Sequence, residues 1–198
     1  MKVTSVARGR EMPRKTLHLT TSVVPLALWM GLPQRIAAAV LVLLFGIACA
    51  VEFARRRSHA VASRFDVTVG LMLREHELTR GITGATWLLA AFALTVLVAP
   101  LPAAIAATWA GAIGDCSAAI VGTAWRRARG GTGKSAAGSI ACVLTTAVGA
   151  WWLAGFGAAA ATALGIVAAS VERPSVALDD NVRVTFGVAL AAVLLLRF

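Results

Sequence analysis

The chain has 198 residues, of which 59% are hydrophobic and 14% are charged, and its formal net charge is +10. Soluble globular domains use about 25% charged residues, so this composition excludes an ordinary soluble domain and indicates that lipid is the main solvent. The basic excess does not call for a nucleic acid partner, because a basic surface also suits anionic lipid headgroups.

Apolar runs of roughly 14 to 21 residues follow one another along the chain, near the length that crosses the hydrocarbon of a bilayer. They predict an all-α integral membrane protein, a single domain over residues 1–198 built as a bundle of about seven short transmembrane helices. The expected spans are residues 17–32, 36–51, 84–99, 103–123, 136–154, 157–171 and 184–196. Pro33, the pair Pro100 and Pro102, and residues 155–157 predict tight turns between them.

The basic residues predict which side each loop occupies. With the N-terminus inside, only Arg35 and Arg197 of the 19 basic residues fall outside. Short cytoplasmic loops retain Lys and Arg, so the N-terminus is expected inside and the C-terminus outside. All nine acidic residues also fall on or near the inner side. We therefore expect a functional site on the cytoplasmic face of a plasma membrane or a bacterial-type inner membrane.

The residues before the first span form the first polar element. Arg14, Lys15 and His18 share one helix face by their spacing, at the depth of a phosphate or a lipid headgroup. A basic anchor that snorkels to the interface explains the same pattern, so both interpretations stay open.

The second inner loop is also charged. Glu52 pairs by spacing with Arg56, while Arg74, Glu77 and Arg80 would line an interfacial helix. Ordinary ion pairs on an exposed helix face are the favoured interpretation here.

Asp115 is the sharpest candidate, because it lies within the fourth span, about 12 Å from its cytoplasmic end at 1.5 Å per residue. A carboxylate buried in the membrane costs several kcal/mol, so a functional role is the default interpretation. Gly111, Gly114, Ala118 and Gly122 surround it in the sequence. Such small residues let helix backbones approach closely, which serves packing as readily as catalysis.

A glycine-rich loop follows, and it leads into the fifth span through Gly131, Gly133, Lys134 and Ser135. Backbone N–H groups of such a loop and the start of a helix can bind phosphate, and nearby arginines add positive charge. The loop nearly matches the P-loop of soluble nucleotidases, but Ala128 stands at the first glycine position and no strand precedes it. We exclude a soluble-type P-loop enzyme; a simple positive-inside loop stays possible.

An acidic segment joins the sixth and seventh spans and contains Glu172, Asp179, Asp180 and Asn181. Oxygen ligands of this kind suit Mg²⁺ bound to the phosphates of a nucleotide. Taken alone, the Asp pair is more typical of a helix N-cap for the last span. Together with Asp115 and the Lys134 loop, the segment favours a metal–polyphosphate site.

These motifs, in this order, resemble those of the family of dolichol kinase, phytol kinase and CTP-dependent diacylglycerol kinase. The matching residues are Pro13, Arg14, Lys15 and His18; Asp115, Ala118 and Gly122; Lys134, Ser135 and Gly138; and Asp179, Asp180 and Asn181. Arg126 replaces a glycine frequent in the family. Ala137 replaces a frequent glutamate and is more similar to the diacylglycerol-kinase branch.

The resemblance implies transfer of the γ-phosphoryl group of CTP to the hydroxyl of a membrane lipid such as diacylglycerol, a polyprenol or phytol. It implies Mg²⁺ held by Asp115 and Asp180 with help from Asp179 and Asn181, and it leaves Asp115 and His18 as candidates for the base. Arg14, Lys15 and Glu172 would position the lipid or a phosphate. The implied nucleotide-binding residues are Gly114, Ala118, Gly122, Arg126, Gly131, Gly133, Lys134, Ser135 and Gly138.

Two other functions fit the same residues. A cytidylyltransferase of the CDP-diacylglycerol synthase type shares the Asp115 and Lys134 elements and would release pyrophosphate from CTP. A small transporter could use Asp115 as an ion or proton site. The transporter has no need of the Gly-Lys-Ser loop.

Overall fold

The computed structural model describes residues 15, 18–70, 73, 77, 81–129, 133–173 and 178–197. Throughout these ranges the chain forms helices and turns and contains no strand, which confirms the all-helical prediction. The elements are α1 (Val23–Trp29), α2 (Gln34–Arg57), α3 (His59–Val69), α4 (Gly84–Val98), α5 (Leu101–Trp109), a π-helix (Ala110–Gly114), α6 (Asp115–Arg129), α7 (Ala136–Trp152), α8 (Ala158–Glu172) and α9 (Asp180–Leu195).

The turns lie where proline and glycine predict them. Pro33 and Pro100 occupy the N-cap positions of α2 and α5, where a missing backbone donor costs nothing. Gly31 and Gly155 adopt φ angles of 97° and 76°, a left-handed conformation that favours glycine. Each apolar run of the sequence therefore coincides with a helical segment.

Some boundaries differ from the predicted ones. Helix α2 continues past residue 51 to Arg57, because Glu52 and the following arginines are good helix formers and positive charge is favourable at a helix C-terminus. Helix α9 begins at Asp180 rather than 184, since Asp179 caps it. Helix α3 was not predicted; Ser58 caps its start by accepting a hydrogen bond from the N–H of Val61 at 3.5 Å.

The fourth apolar run is not one regular helix. Its α-helical geometry is interrupted by the π-helix Ala110–Gly114, after which α6 continues the same rod. The N–H of Asp115 donates to the carbonyl of Ala110, five residues earlier. Such π-turns are rare and often occur at functional sites.

This interrupted rod forms the centre of the bundle. Helix α5 packs against α1, α7 and α9, while α6 packs against α7. Most of the fully buried positions on the rod are alanines, which allow close approach of neighbouring backbones: Ala103, Ala104, Ala106, Ala107, Ala110 and Ala112. Helix α2 packs on α4 at one side, and α8 packs between α7 and α9.

The outer faces of the bundle carry large apolar side chains. On α7, Ile140, Leu144, Val148 and Trp151 are exposed and follow a helical spacing. On α2, Val40, Leu43 and Ile47 form a similar stripe. Contiguous apolar surface of this kind is rare on soluble monomers and marks contact with a membrane or another protein.

Within the described parts of the chain, two helices are long and apolar enough to cross a membrane. They are Gln34–Arg57 and the continuous segment Leu101–Arg126. Gly84–Val98, Ala136–Trp152 and Ala158–Glu172 are shorter apolar helices. The seven-span arrangement and its orientation stay predictions.

Candidate functional site

Asp115 is the first residue of α6, immediately after the π-helix, and only 4% of its surface is exposed. The glycines before it are needed for packing. A Cβ atom at Gly111 would lie 2.6 Å from Oγ1 of Thr185, and one at Gly114 would lie 2.5 Å from Oγ1 of Thr146. Helices α9 and α7 thus enclose the π-turn from two sides, which fixes the position of the Asp115 carboxylate.

Lys15 supplies a cation to this buried carboxylate. Its Nζ atom lies 3.1 Å from Oδ2 of Asp115. The Cys116 thiol also donates to the carbonyl of Lys15, at 3.6 Å. A buried charge is tolerated when it is paired, so the segment before α1 completes the environment of Asp115.

His18 contacts the π-turn itself. Its Nε2 atom lies 2.7 Å from the carbonyl oxygen of Gly111. Because a carbonyl can only accept, Nε2 carries the hydrogen in this bond. Its placement therefore favours a role in holding the turn over proton abstraction through Nε2.

A cavity of about 450 Å³ opens beside these residues. Lys15, His18, Asp115 and Asn181 line it together, so the structure brings the N-terminal element, the start of α6 and the start of α9 to one place. The other lining comes from α2, α3, α4 and the segment between α3 and α4. It is largely apolar, with Val51, Phe65, Val69, Leu73, Leu88 and Leu89, although Glu52 and Glu77 also line it. The cavity thus has the polar and apolar parts that an amphipathic ligand needs.

The Asp179–Asn181 segment has a structural role as well. The Asp179 side chain accepts a hydrogen bond from the N–H of Asn181 at 3.0 Å, which confirms the N-cap interpretation. The Asn181 side chain donates to the carbonyl of Gly84 at 3.3 Å and so connects α9 to the start of α4. Asp180 is the first residue of α9 and is partly buried.

Lys134 lies in an ion pair with Glu172. Their Nζ and Oε1 atoms are 2.6 Å apart, and Nζ also contacts the carbonyl oxygen of Glu172. Lys134 lies two residues before α7, and α7 also packs against the π-helix that precedes Asp115. Lys134 does not line the cavity described above.

The remaining loop residues organise the start of α7. Ser135 accepts a hydrogen bond from the N–H of Gly138 at 3.1 Å and caps the helix. Gly133 has a φ angle of 79°, and Arg126 donates to Oγ1 of Thr123 at 3.1 Å. Arg14 and Gly131 lie outside the described residues.

The small residues shared by α6 and α7 form a close helix crossing. A Cβ atom at Gly138 would lie 2.6 Å from the carbonyl oxygen of Ala118 and 3.2 Å from Cα of Gly122. One at Gly122 would lie 3.1 Å from Oγ of Ser135. Packing alone therefore explains why these positions are small, and their assignment to nucleotide binding rests on the resemblance.

The sequence reasoning missed a buried polar network beside the cavity. Glu52 was paired with Arg56 on an exposed helix face, whereas the structure pairs its Oε2 with Nε of Arg55 at 2.8 Å, and both residues are buried. Glu77 is also buried, and its Oε1 accepts from the N–H of Gly84 at 2.8 Å. The available signal was Glu52 and Arg55 at i, i+3 directly after the apolar run of α2.

Three or more His, Cys, Asp or Glu side chains do not converge into a metal site anywhere in the described ranges. Mg²⁺ commonly takes only one or two carboxylates and completes its coordination with phosphates and water. Asp115 and Asn181 place a carboxylate and an amide oxygen on one cavity, so the chemistry of the donors fits such an ion.

Comparison with family models, curated proteins and solved structures finds no match for this chain.

Proposed function

We propose that this chain is an integral membrane enzyme that transfers the γ-phosphoryl group of CTP to the hydroxyl of a membrane lipid. Its reaction would yield a lipid phosphate and CDP at the cytoplasmic side of the membrane. The observation that carries the proposal is the cavity in which Asp115, Lys15 and Asn181 meet a largely apolar wall.

Surface residues support the membrane location. Trp29 and Trp152 are exposed, and their rings pack with centroids 6.3 Å apart where α1 and α7 end. Where α6 ends, the guanidinium of Arg129 lies over the exposed ring of Trp125, 4.4 Å from its centroid. Tryptophan and arginine are typical of membrane–water interfaces. With the apolar stripes between them, these residues favour a bundle that spans the bilayer, with the basic ends of α2 and α6 inside.

The cavity fits a lipid alcohol better than a water-soluble substrate. Its apolar part would receive the hydrocarbon chain, and its polar part would receive the hydroxyl. A lipid can reach such a site laterally from the bilayer, without crossing water.

Asp115 is the best placed proton acceptor for the lipid hydroxyl. It is buried, it lines the cavity, and its Oδ2 atom lies 3.1 Å from Nζ of Lys15. His18 instead donates from Nε2 to Gly111, which favours a positioning role. Phosphoryl transfer needs little beyond positioning and charge stabilisation, and Lys15 would help to stabilise the negative charge of the transferred group.

The nucleotide would lie at the start of α7. Lys134, Ser135 and the glycine loop offer a cation and backbone donors suited to phosphates. In the structure Lys134 forms an ion pair with Glu172, so a phosphate would compete with this carboxylate for the Lys134 ammonium. The choice of CTP follows from the resemblance, and Mg²⁺, held by Asp115 and Asn181, would neutralise phosphate charge when bound.

A reconstituted assay tests the proposal. Purified protein in mixed micelles is incubated with Mg²⁺, a panel of lipid alcohols and each γ-labelled nucleotide, and label in the organic phase is counted. Label in the lipid from CTP alone, dependent on the added alcohol, is the expected result. Absence of labelled lipid with every donor would overturn it.

A further inference from the structure

Arg55 is a buried arginine whose contacts reach three segments of the chain. Only 2% of its surface is exposed. Its Nε atom donates to Glu52, and its Nη1 and Nη2 atoms donate to the carbonyls of Glu77 and Gly81. The guanidinium also lies over the ring of Phe65, 4.9 Å from the centroid. Arg55 thus joins the end of α2 to α3 and to the segment before α4.

Glu52 extends the same connection. Its Oε1 atom accepts from the N–H of Thr83 at 2.9 Å and from Oγ1 of Thr86 at 3.4 Å. A carboxylate that accepts from a helix start and from a buried arginine holds both in fixed positions. Because Glu52, Thr83 and Thr86 all line the cavity, this network shapes one of its walls.

Phe65 is the part of this wall that a hydrocarbon chain would touch. Among the described residues that line the cavity it has the largest apolar side chain. Val69 and Leu73 continue the apolar surface beyond it. The Phe65 ring stacks on a guanidinium that is itself held by hydrogen bonds, so the ring can move only a little. It therefore limits the width of the cavity.

We propose that Phe65 determines which hydrocarbon chains the cavity accepts, and that Arg55 is the positioning residue that holds it. The rigid ring favours an unbranched chain over an isoprenoid chain, because methyl branches need additional width. This inference rests on the proposed function for its substrate, a lipid alcohol, and adds the class of chain that this alcohol carries.

Substitutions at Phe65 should change chain preference in opposite directions. We compare kcat/KM for an unbranched diacylglycerol and for an isoprenoid alcohol in Phe65→Leu and Phe65→Trp. The branched-to-unbranched ratio should rise about tenfold in Phe65→Leu, since one or two carbons in an apolar pocket give discrimination of that order, and it should fall in Phe65→Trp. Phe65 is only partly buried, so both variants should fold.

Phe53 offers a matched control on the neighbouring helix. Arg57 stacks on it with the same 4.9 Å separation, but Phe53 is 61% exposed and does not line the cavity. Phe53→Leu and Phe53→Trp should leave the ratio unchanged. If the Phe65 variants change the branched-to-unbranched ratio no more than the Phe53 variants do, the inference is overturned, while the proposed kinase activity is not affected.

Arg55→Lys tests the positioning role. A lysine can reach only part of the contacts of the planar guanidinium, so the ratio should shift in the same direction as in Phe65→Leu. A loss of kcat for both substrates without a change in ratio would contradict this role. Should the Arg55 variant not fold, the Phe65 pair still decides the matter.

A binding measurement separates this inference from the proposed reaction. An unbranched alcohol with a diazirine in mid-chain is photolysed with the protein, and isoprenoid alcohol is added as competitor. Labelling of α2, α3 or α4 at the residues that line the cavity is expected, with competition that is weak in the wild type and strong in Phe65→Leu. If this occurs and no lipid is ever phosphorylated, the proposed function fails and the chain preference stands; labelling elsewhere overturns the preference.

Discussion

Lys15 and Asp115 are 100 residues apart in sequence, yet Nζ of one lies 3.1 Å from Oδ2 of the other inside the bundle. The pair connects the segment before α1 to the start of α6. Taking either charge away leaves the other buried without its partner, which is costly in a low-dielectric environment. The function and the stability of this site are therefore coupled, and variants must be chosen to separate them.

Asp115→Asn keeps the shape of the side chain and removes its charge. We expect phosphoryl transfer to fall by well over tenfold, while the protein still inserts into the membrane, because the proton acceptor and the ligand for the phosphate-bound metal are both lost. The rate of lipid phosphorylation at saturating CTP is the measurement. Activity above about a tenth of the wild type, a loss under roughly 1.4 kcal/mol, would make Asp115 a structural residue.

Lys15→Met should lower stability, because the Asp115 carboxylate then stays buried without its cation. Removal of one partner from a buried pair costs about 3–5 kcal/mol. The double variant Lys15→Met with Asp115→Asn should recover much of this loss and remain inactive. Thermal unfolding in detergent measures the first effect and the kinase assay the second; a double variant as unstable as Lys15→Met would contradict the pairing.

The helices follow from the sequence with little ambiguity, because the apolar runs are separated by Pro33, Pro100 and glycine turns. The boundaries were less predictable where polar residues continue a helix, as Glu52 does in α2. The π-turn before Asp115 could not be predicted. It depends on contacts from distant segments, such as the bond from His18 to Gly111, that no local pattern encodes.

Gly138→Ala should act through packing. Its Cβ atom would lie 2.6 Å from the backbone oxygen of Ala118, and relieving this contact means separating α6 from α7. We expect a stability loss of about 1–3 kcal/mol, typical of overpacking, with an unchanged KM for CTP in the protein that remains folded.

Gly46→Ala is the control for this glycine. It lies in α2 with no atom within 4 Å of the added Cβ, so stability should stay equal or rise by up to about 1 kcal/mol. An increased KM for CTP in Gly138→Ala, without a change in unfolding temperature, would show that Gly138 contacts the nucleotide instead.

Lys134→Met should raise the KM for CTP, because the ammonium that binds phosphate is removed. Lys134→Arg should rescue only in part, since a planar guanidinium does not replace a compact charge in a tight loop. Arg197→Met, predicted on the other side of the membrane, is the control and should leave KM unchanged.

Glu172→Gln separates the binding of phosphate by Lys134 from the ion pair that Lys134 forms with Glu172. Combined with Lys134→Met it should restore any stability lost with the ion pair, while the raised KM persists. If Lys134→Met and Arg197→Met prove equally harmless at saturating lipid, the nucleotide binds elsewhere.

The site was predictable to a different extent for each motif. Asp115 was predicted because a carboxylate in an apolar span is costly, and the structure buries it. Asp179 was ambiguous in sequence, and the structure shows it capping α9. Arg55 and Phe65 escaped notice. The i, i+3 spacing relates Arg55 only to Glu52, and its contacts with Phe65, Glu77 and Gly81 come from the segment after α2, where no spacing rule relates them.

Cysteine labelling tests the orientation. Single cysteines at Ala60 and Arg173 should react with a membrane-impermeant reagent only from the cytoplasmic side, and those at Met30 and Arg197 only from outside, in a background without Cys49, Cys116 and Cys142. The basic loops set this orientation. Labelling of residue 173 from outside would contradict the proposal that Glu172 and Asp115 belong to a single site on the inner side.

The most direct measurement follows both ends of CTP in one reaction. Purified protein, Mg²⁺ and a lipid alcohol are incubated with CTP that carries one label on the α-phosphate and another on the γ-phosphate, beside Asp115→Asn as the inactive control. A kinase transfers only the γ label to the lipid and leaves the α label in CDP, and this is the result we expect. Transfer of the α label to the lipid, or no transfer of either label by the wild type, would contradict phosphorylation of a lipid alcohol.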